Sequence, residues 1–253
     1  MQKMRYFRTI GIILLASIVI WGTAEIVYRW NTEKTELEKT AFAVSSSFSH
    51  NVITHVDTGR EKLVALTFDD GPDPRFTPEI LDILKKNNIK ATFFVVGENC
   101  EAYPDILKKE VAEGHEVENH TYSHPDLNND DAINTEKQII GAEKVIGKIT
   151  HKKPVYFRPP KRLFKNTTLD VAELNGYTTV LWTIGLEHHK SKTVQDMANR
   201  VIKAAKPGTI FLAHDGRLDR TRTVEALPLV IQGYKKQGYK FVTLRELMAY
   251  QAK

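Results

Sequence analysis

Four polar clusters in this chain could do chemistry together. Asp69-Asp70-Gly71-Pro72-Asp73 follows the apolar run Leu63–Phe68, and His120-Thr121-Tyr122-Ser123-His124 follows Glu116–Asn119. Arg158-Pro159-Pro160 follows Val155–Phe157, and His214-Asp215-Gly216 follows Ile210–Ala213. Two histidines at i and i+4 lie on one side of a helical turn, so both imidazoles can reach one metal ion. A carboxylate added to them completes a two-histidine, one-aspartate set with positions left for water or substrate. Side chains of adjacent residues at a strand end diverge, so one of two neighbouring carboxylates can ligate while the other accepts a proton. A bound Zn²⁺ lowers the pKa of its water towards about 7, so a carboxylate suffices as the base. A histidine from a distant strand end could protonate a leaving group, and an arginine near the base would hold it charged and oriented. Each cluster alone has a plainer reading: Asp-Asp-Gly-Pro is a good turn sequence, and His-Asp-Gly a turn with a surface histidine. It is their joint occurrence, each at a strand end, that favours a site.

Such a site needs a scaffold that gathers distant strand ends. From about Arg60, short apolar runs alternate with amphipathic stretches. The pattern predicts strands over 63–68, 91–96, 116–119, 155–157, 178–184, 210–213 and 241–243. Between them it predicts helices over 78–87, 101–113, 132–149, 167–175, 194–205 and 224–237. Most of the strands are apolar almost throughout, as expected when both faces are covered, and the alternation implies a parallel sheet. Functional residues in such folds gather past the C-terminal strand ends. Arg60 to Lys253 is short of the roughly 250 residues typical of an eight-fold barrel, so an incomplete, distorted α/β barrel of about seven units fits better.

The chain has 253 residues and a formal net charge of +5, with 42% hydrophobic and 26% charged residues. That is ordinary globular usage, which excludes collagen-like, coiled-coil and wholly disordered chains. A single cysteine, Cys100, excludes an intramolecular disulfide framework and a zinc site built on several thiolates. The mild basic balance suits an anionic surface such as a cell wall or membrane and is too weak to argue for nucleic acid. Near the N-terminus Lys3, Arg5 and Arg8 precede the uncharged run Ile10–Ala24, and apolar character resumes through Tyr28. Ile10–Tyr28 approaches the roughly 20 residues that span a bilayer. Residues 1–30 are therefore expected to form a transmembrane signal anchor, oriented N-inside, in preference to a cleaved signal peptide. Residues 31–59 read as a polar linker and 60–253 as the catalytic domain, working outside the cytoplasm.

The motifs themselves resemble a known family. Thr67-Phe68-Asp69-Asp70-Gly71-Pro72, then His120-Thr121-Tyr122-Ser123-His124-Pro125, is similar to the polysaccharide deacetylases, the NodB-homology domains of carbohydrate esterase family 4. The likeness continues in order through Phe157-Arg158-Pro159-Pro160, Leu181-Trp182, Leu212-Ala213-His214-Asp215-Gly216 and Gly238–Leu244. The resemblance implies a distorted (β/α)7 barrel that hydrolyses N-acetyl groups on a glycan with one divalent metal ion, zinc or cobalt. It implies Asp70, His120 and His124 as metal ligands, Asp69 as base, Arg158 as its partner and His214 as general acid. It also implies that Leu212 lines the acetyl pocket, that Trp182 is a substrate-binding residue and that the Lys161 backbone N–H serves the oxyanion.

Two departures stand out. The family commonly reads Arg-Pro-Pro-Tyr-Gly, whereas this chain has Lys161-Arg162 after the prolines. Those two cations are either solvated surface charges or a seat for an acidic substituent, and the lost glycine puts the loop shape in question. After Trp182-Thr183-Ile184 the family commonly has Asp-x-x-Asp-Trp, with an aspartate that orients the general acid, where this chain has Gly185-Leu186-Glu187-His188-His189. Glu187 could substitute from a shifted position, His188 could contact substrate or a second ion, or these residues could simply face water. The leading expectation is an N-deacetylase of cell-wall glycan, peptidoglycan first, with chitin oligomers and O-acetylated polysaccharide as alternatives. A non-catalytic glycan-binding protein on a decayed barrel is the competing class. A nucleotide-binding fold is disfavoured, because no glycine-rich phosphate loop follows any strand.

Overall fold

The computed structural model describes residues 50–251. The expected anchor over 1–30 and most of the expected linker lie outside the described residues. Among the described residues, no helix is long and apolar enough to cross a membrane.

The sheet has eight parallel strands: β1 (Leu63–Asp69), β2 (Thr92–Val95), β3 (Glu116–Asn119), β4 (Tyr156–Phe157), β5 (Thr178–Thr179), β6 (Ile184–Gly185), β7 (Thr209–His214) and β8 (Lys240–Val242). They run in the order β5-β4-β3-β2-β1-β7-β6 and form an α/β half-barrel, with β8 beside the first half of β1. Eight helices accompany them among the described residues. They are α1 (Phe76–Lys86), α2 (Gly97–Ala102), α3 (Pro104–Ala112), α4 (Ala132–Thr150), α5 (Asn166–Leu174), α6 (Val194–Lys203), α7 (Thr221–Lys236) and α8 (Leu244–Gln251).

Three elements differ from the sequence pattern. The strand expected over 178–184 splits into β5 and β6, because the chain between them leaves the ladder to bond elsewhere. Leu181 N–H donates to the Ile53 carbonyl and Thr183 N–H to that of Ile210. The helix expected over 101–113 is two helices, since α2 ends before Tyr103 and Pro104 opens α3, the position where its missing N–H costs nothing. Finally, α8 has no counterpart in the pattern. Residues 53–56, read as linker, belong to this domain: Ile53 N–H donates to Thr179 O and Val56 N–H to Gly208 O, laying that segment between β5 and β7.

The two-residue period of β1 sorts its side chains. Val64, Leu66 and Phe68 pack outward with Ile80, Leu81 and Leu84 of α1 and Val230 and Ile231 of α7. Leu63 and Ala65 pack on the other face with Ile210, Phe94, and Leu244 and Leu247 of α8. Continuing the inner row, Thr67 and Asp69 lie above that apolar floor, so the strand that builds the core also delivers a carboxylate to the mouth. The ladder pairs Asp69 directly with His214 of β7 and with Phe94 of β2.

Candidate active site

Asp69 meets Arg158, the first residue past β4. The guanidinium is wholly buried and donates from Nη1 to Asp69 Oδ1 at 2.6 Å and to Thr67 Oγ1 at 2.9 Å. Its Nε and Nη2 donate to the carbonyls of Val180 and Leu181, and the group lies 3.9 Å from the Phe94 ring centre. Burial pulls the Arg158 pKa down, and the neighbouring Asp69 carboxylate opposes that pull. Removing one partner of such a pair strands a charge, at a cost of roughly 3–5 kcal/mol. Arg158→Met is therefore expected to lower the urea-unfolding free energy by about that amount; a loss below about 1 kcal/mol would mean that Asp69 does not depend on this guanidinium.

The histidine pair does not lie on a helical turn. His120 and His124 sit on an irregular loop after β3, with Thr121 and His124 in the left-handed region (φ 71° and 58°). Local side chains hold this shape: Asn119 Oδ1 accepts from Thr121 N–H, Thr121 Oγ1 from His124 N–H, and Gln138 Oε1 of α4 from the amides of Tyr122 and Ser123. The rings stand 5.1 Å apart at 64°, and the Nε2 atoms of His120 and His124 lie 3.5 and 3.1 Å from Asp70 Oδ1. His120 Nδ1 is 2.7 Å from the Arg158 carbonyl. A carbonyl only accepts, so Nδ1 carries a proton and Nε2 is the ring nitrogen turned toward Asp70.

Asp70, His120 and His124 are all buried, and their ligand atoms fall within 4.8 Å of one another. Asp70 Oδ1 and His124 Nδ1 are buried without a hydrogen-bond partner. Burial alone would raise the Asp70 carboxyl, but His120, His124 and His214 outweigh it and hold it well below the usual carboxylate range. A buried cluster of two imidazoles and a carboxylate with an orphaned oxygen fits a divalent cation. His120 Nε2 is also 3.9 Å from Asp69 Oδ2, so the other carboxylate borders the same space.

His214, the last residue of β7, meets a carboxylate. Its Nδ1 is 3.0 Å from Glu187 Oε2, its backbone N–H donates to Oε1 at 3.1 Å, and Thr223 Oγ1 of α7 donates to that same oxygen at 2.7 Å. Of the alternatives that the sequence left open, the structure has Glu187 on His214. Arg200 of α6 steadies the segment by donating from Nη2 to the carbonyls of Gly185 and Leu186. Burial would lower the His214 pKa, but Glu187, with Asp69 and Asp70 behind it, raises it overall. Burial would likewise raise Glu187, and His214 and Thr223 bring it down. His188 is exposed at the rim, stacked on His189 at 4.5 Å.

These groups line a cleft of about 620 Å³, whose walls include Lys161, Trp182, Leu212 and Arg217. Lys161 lies in a short 3₁₀ turn, Pro160–Arg162. Arg162, where the family's glycine falls, has φ 61°, so the glycine-like conformation is kept at a cost of roughly 1–2 kcal/mol. Its guanidinium lies 5.8 Å from the Trp182 ring. Sequence reasoning missed Arg220, whose Nη2 donates to Asp70 Oδ2 at 3.2 Å. It also missed Asp215: burial pushes its pKa up to about 7, and it packs so tightly under Gly71 that a Cβ there would sit 2.1 Å from its carboxyl oxygen.

The polysaccharide deacetylase profile matches residues 56–180. A peptidoglycan-N-acetylglucosamine deacetylase of Bacillus cereus is 41% identical over 192 residues, covering 75% of this chain and 90% of that protein. A peptidoglycan-N-acetylmuramic acid deacetylase of Bacillus subtilis is 36% identical over 193 residues, covering 75% and 72%. Among solved structures, a peptidoglycan N-acetylglucosamine deacetylase superposes with a TM-score of 0.75 at 34% identity, covering 83% of this chain and 97% of that one. A family 4 pseudoenzyme from Bacillus anthracis superposes with a TM-score of 0.73 at 30% identity, covering 80% and 70%. The chain belongs to the polysaccharide deacetylase family. It is an enzyme of that hydrolase class.

Proposed function

We propose that this protein removes N-acetyl groups from the amino sugars of peptidoglycan, with one zinc ion held by Asp70, His120 and His124. The observation that carries this reading is the convergence of those three buried ligand atoms within 4.8 Å, beside the Asp69–Arg158 pair. When bound, the ion supplies a Lewis acid for the acetamide carbonyl and for the attacking water. Asp69, held in place by Arg158, accepts the proton that the water loses on attacking the carbonyl carbon. The Lys161 backbone N–H donates to the oxygen on which charge develops. His214 gives its Nε2 proton to the sugar nitrogen as the C–N bond breaks, leaving acetate and a free amine. Leu212 and Trp182 wall the pocket for the acetyl methyl group. Lys161 and Arg217 set positive charge at the cleft mouth, which suits a wall polymer bearing carboxylates. With residues 1–30 as an anchor, the domain would face the wall from the outer side of the membrane.

A second reading has one observation in its favour, the structural likeness to a family pseudoenzyme. In that case the barrel would bind glycan without cleaving it. Acetate release separates the two. Purified protein incubated with N-acetylated peptidoglycan is expected to release acetate, to stop on chelation and to resume on adding Zn²⁺ or Co²⁺. Release indifferent to chelators would overturn the metal reading, and glycan binding without release at any metal loading would favour the second. Chitin oligomers and O-acetylated glycan in the same panel would show which polymer is preferred.

A further inference from the structure

We propose that Arg220 is a positioning residue that fixes Asp70 as a one-oxygen ligand of the cation; this inference rests on the metal reading above. Asp70 needs fixing, because its backbone is left-handed (φ 81°), a conformation that persists only where the surroundings over-determine it. On the main-chain side, Asn99 Nδ2 donates to the Asp70 carbonyl at 2.8 Å. Gly216 crosses so close that a Cβ there would stand 2.4 Å from that carbonyl oxygen. On the side-chain side the two carboxylate oxygens have different fates. Oδ2 accepts from Arg220 Nη2 at 3.2 Å, whereas Oδ1 has no hydrogen-bond donor and faces both Nε2 atoms.

Arg220 is itself pinned. It is buried, donates from Nε to the Gly216 carbonyl at 2.8 Å, and its own carbonyl accepts from Val224 N–H in the first turn of α7. Rotating Asp70 to offer both oxygens to the cation would break the bond to a guanidinium that cannot follow. The fold thus holds one oxygen and leaves the other open to the metal, as partners behind metal ligands commonly do. The charge works the opposite way, since a guanidinium beside the ligand repels the cation. Positioning and electrostatics therefore predict opposite signs when the charge is removed.

Zinc affinity of the metal-stripped full-length protein, measured by competition with a chromophoric chelator, decides between them. Arg220→Gln and Arg220→Lys are both expected to weaken zinc binding by roughly 10–100-fold, the lysine because it keeps the charge but loses the planar fork. Asn99→Ala, which removes the other brace without touching any charge, is expected to weaken binding in the same direction, and it keeps the test informative should an Arg220 variant fail to fold. Zinc bound by Arg220→Gln as tightly as by the unaltered protein, or more tightly, would overturn the proposal. So would a rise in KM for glycan at unchanged zinc affinity, which would make Arg220 a substrate contact. His124→Ala separates the two levels of inference: if it too retains zinc, the ligand assignment has failed, whereas if it alone loses zinc, only the Arg220 proposal has.

Discussion

Asp70→Asn is expected to empty the metal site and to cut acetate release by roughly 10³-fold or more, with His124→Ala giving the same result. The asparagine is nearly isosteric, so the loss follows from atom types. Its amide oxygen would stay with the Arg220 guanidinium, a pure donor, and that choice turns the NH₂ towards His120 and His124. The oxygen now 3.5 and 3.1 Å from their Nε2 atoms would thus be replaced by a group that cannot ligate. Metal polarisation of the carbonyl and the water supplies several kcal/mol of barrier lowering, and each 1.4 kcal/mol is about tenfold in rate. Metal analysis of the dialysed variant and acetate release at saturating added zinc give the two readouts. Full metal content in both variants would remove Asp70 and His124 as ligands, and retained turnover without metal would remove the cation from the reaction.

What was legible in the sequence followed from local chemistry. The run Leu63–Phe68 reads as a doubly covered strand because every residue of β1 is buried, and β3 has the bounds its pattern predicts. The C-terminal α8 was legible in principle: Thr243 and Glu246 cap each other through Oγ1 and Oε2, the Thr-x-x-Glu signature of a helix start. The loop carrying His120 and His124 was not, because the i, i+4 spacing that promises one helical face is met instead by a bend with two left-handed residues. The two imidazoles do come together, but by a geometry other than the one the spacing promises. Arg220 lies 150 residues from Asp70, and no local pattern announces that the start of α7 folds over the end of β1. Glu187 shows the same limit in milder form. A carboxylate was expected near His214, but which position supplies it depends on how far the chain travels between β5 and β7. That path is set by the bonds of Leu181 and Thr183 to Ile53 and Ile210.

His214→Ala is expected to keep its metal and lose roughly 10²–10⁴-fold in turnover, the usual contribution of a positioned acid. Glu187→Gln sharpens the test, because it leaves the imidazole in place and alters only its charge. Glu187 raises the His214 pKa above the ordinary 6.5, so the protonated acid persists further into the alkaline range. Activity should therefore fall as pH rises through that raised value. In Glu187→Gln the fall should begin at lower pH, because the imidazolium has lost its counter-charge. The same pair makes a stability prediction with a definite sign. The histidine's contribution is complete below about 6.5 and lost as pH rises through its raised folded value. The glutamate's contribution is present above its ordinary 4.5 and lost as pH falls through its lowered value. The melting-temperature gap between the unaltered protein and Glu187→Gln should thus be widest near pH 5–6 and shrink on the alkaline side. Thr223→Val, which removes only the hydroxyl donor to Oε1, leaves the counter-charge of His214 in place and should not move the alkaline limb to lower pH. An alkaline limb that does not move in Glu187→Gln, with turnover intact, would show that His214 gives its proton without help from Glu187.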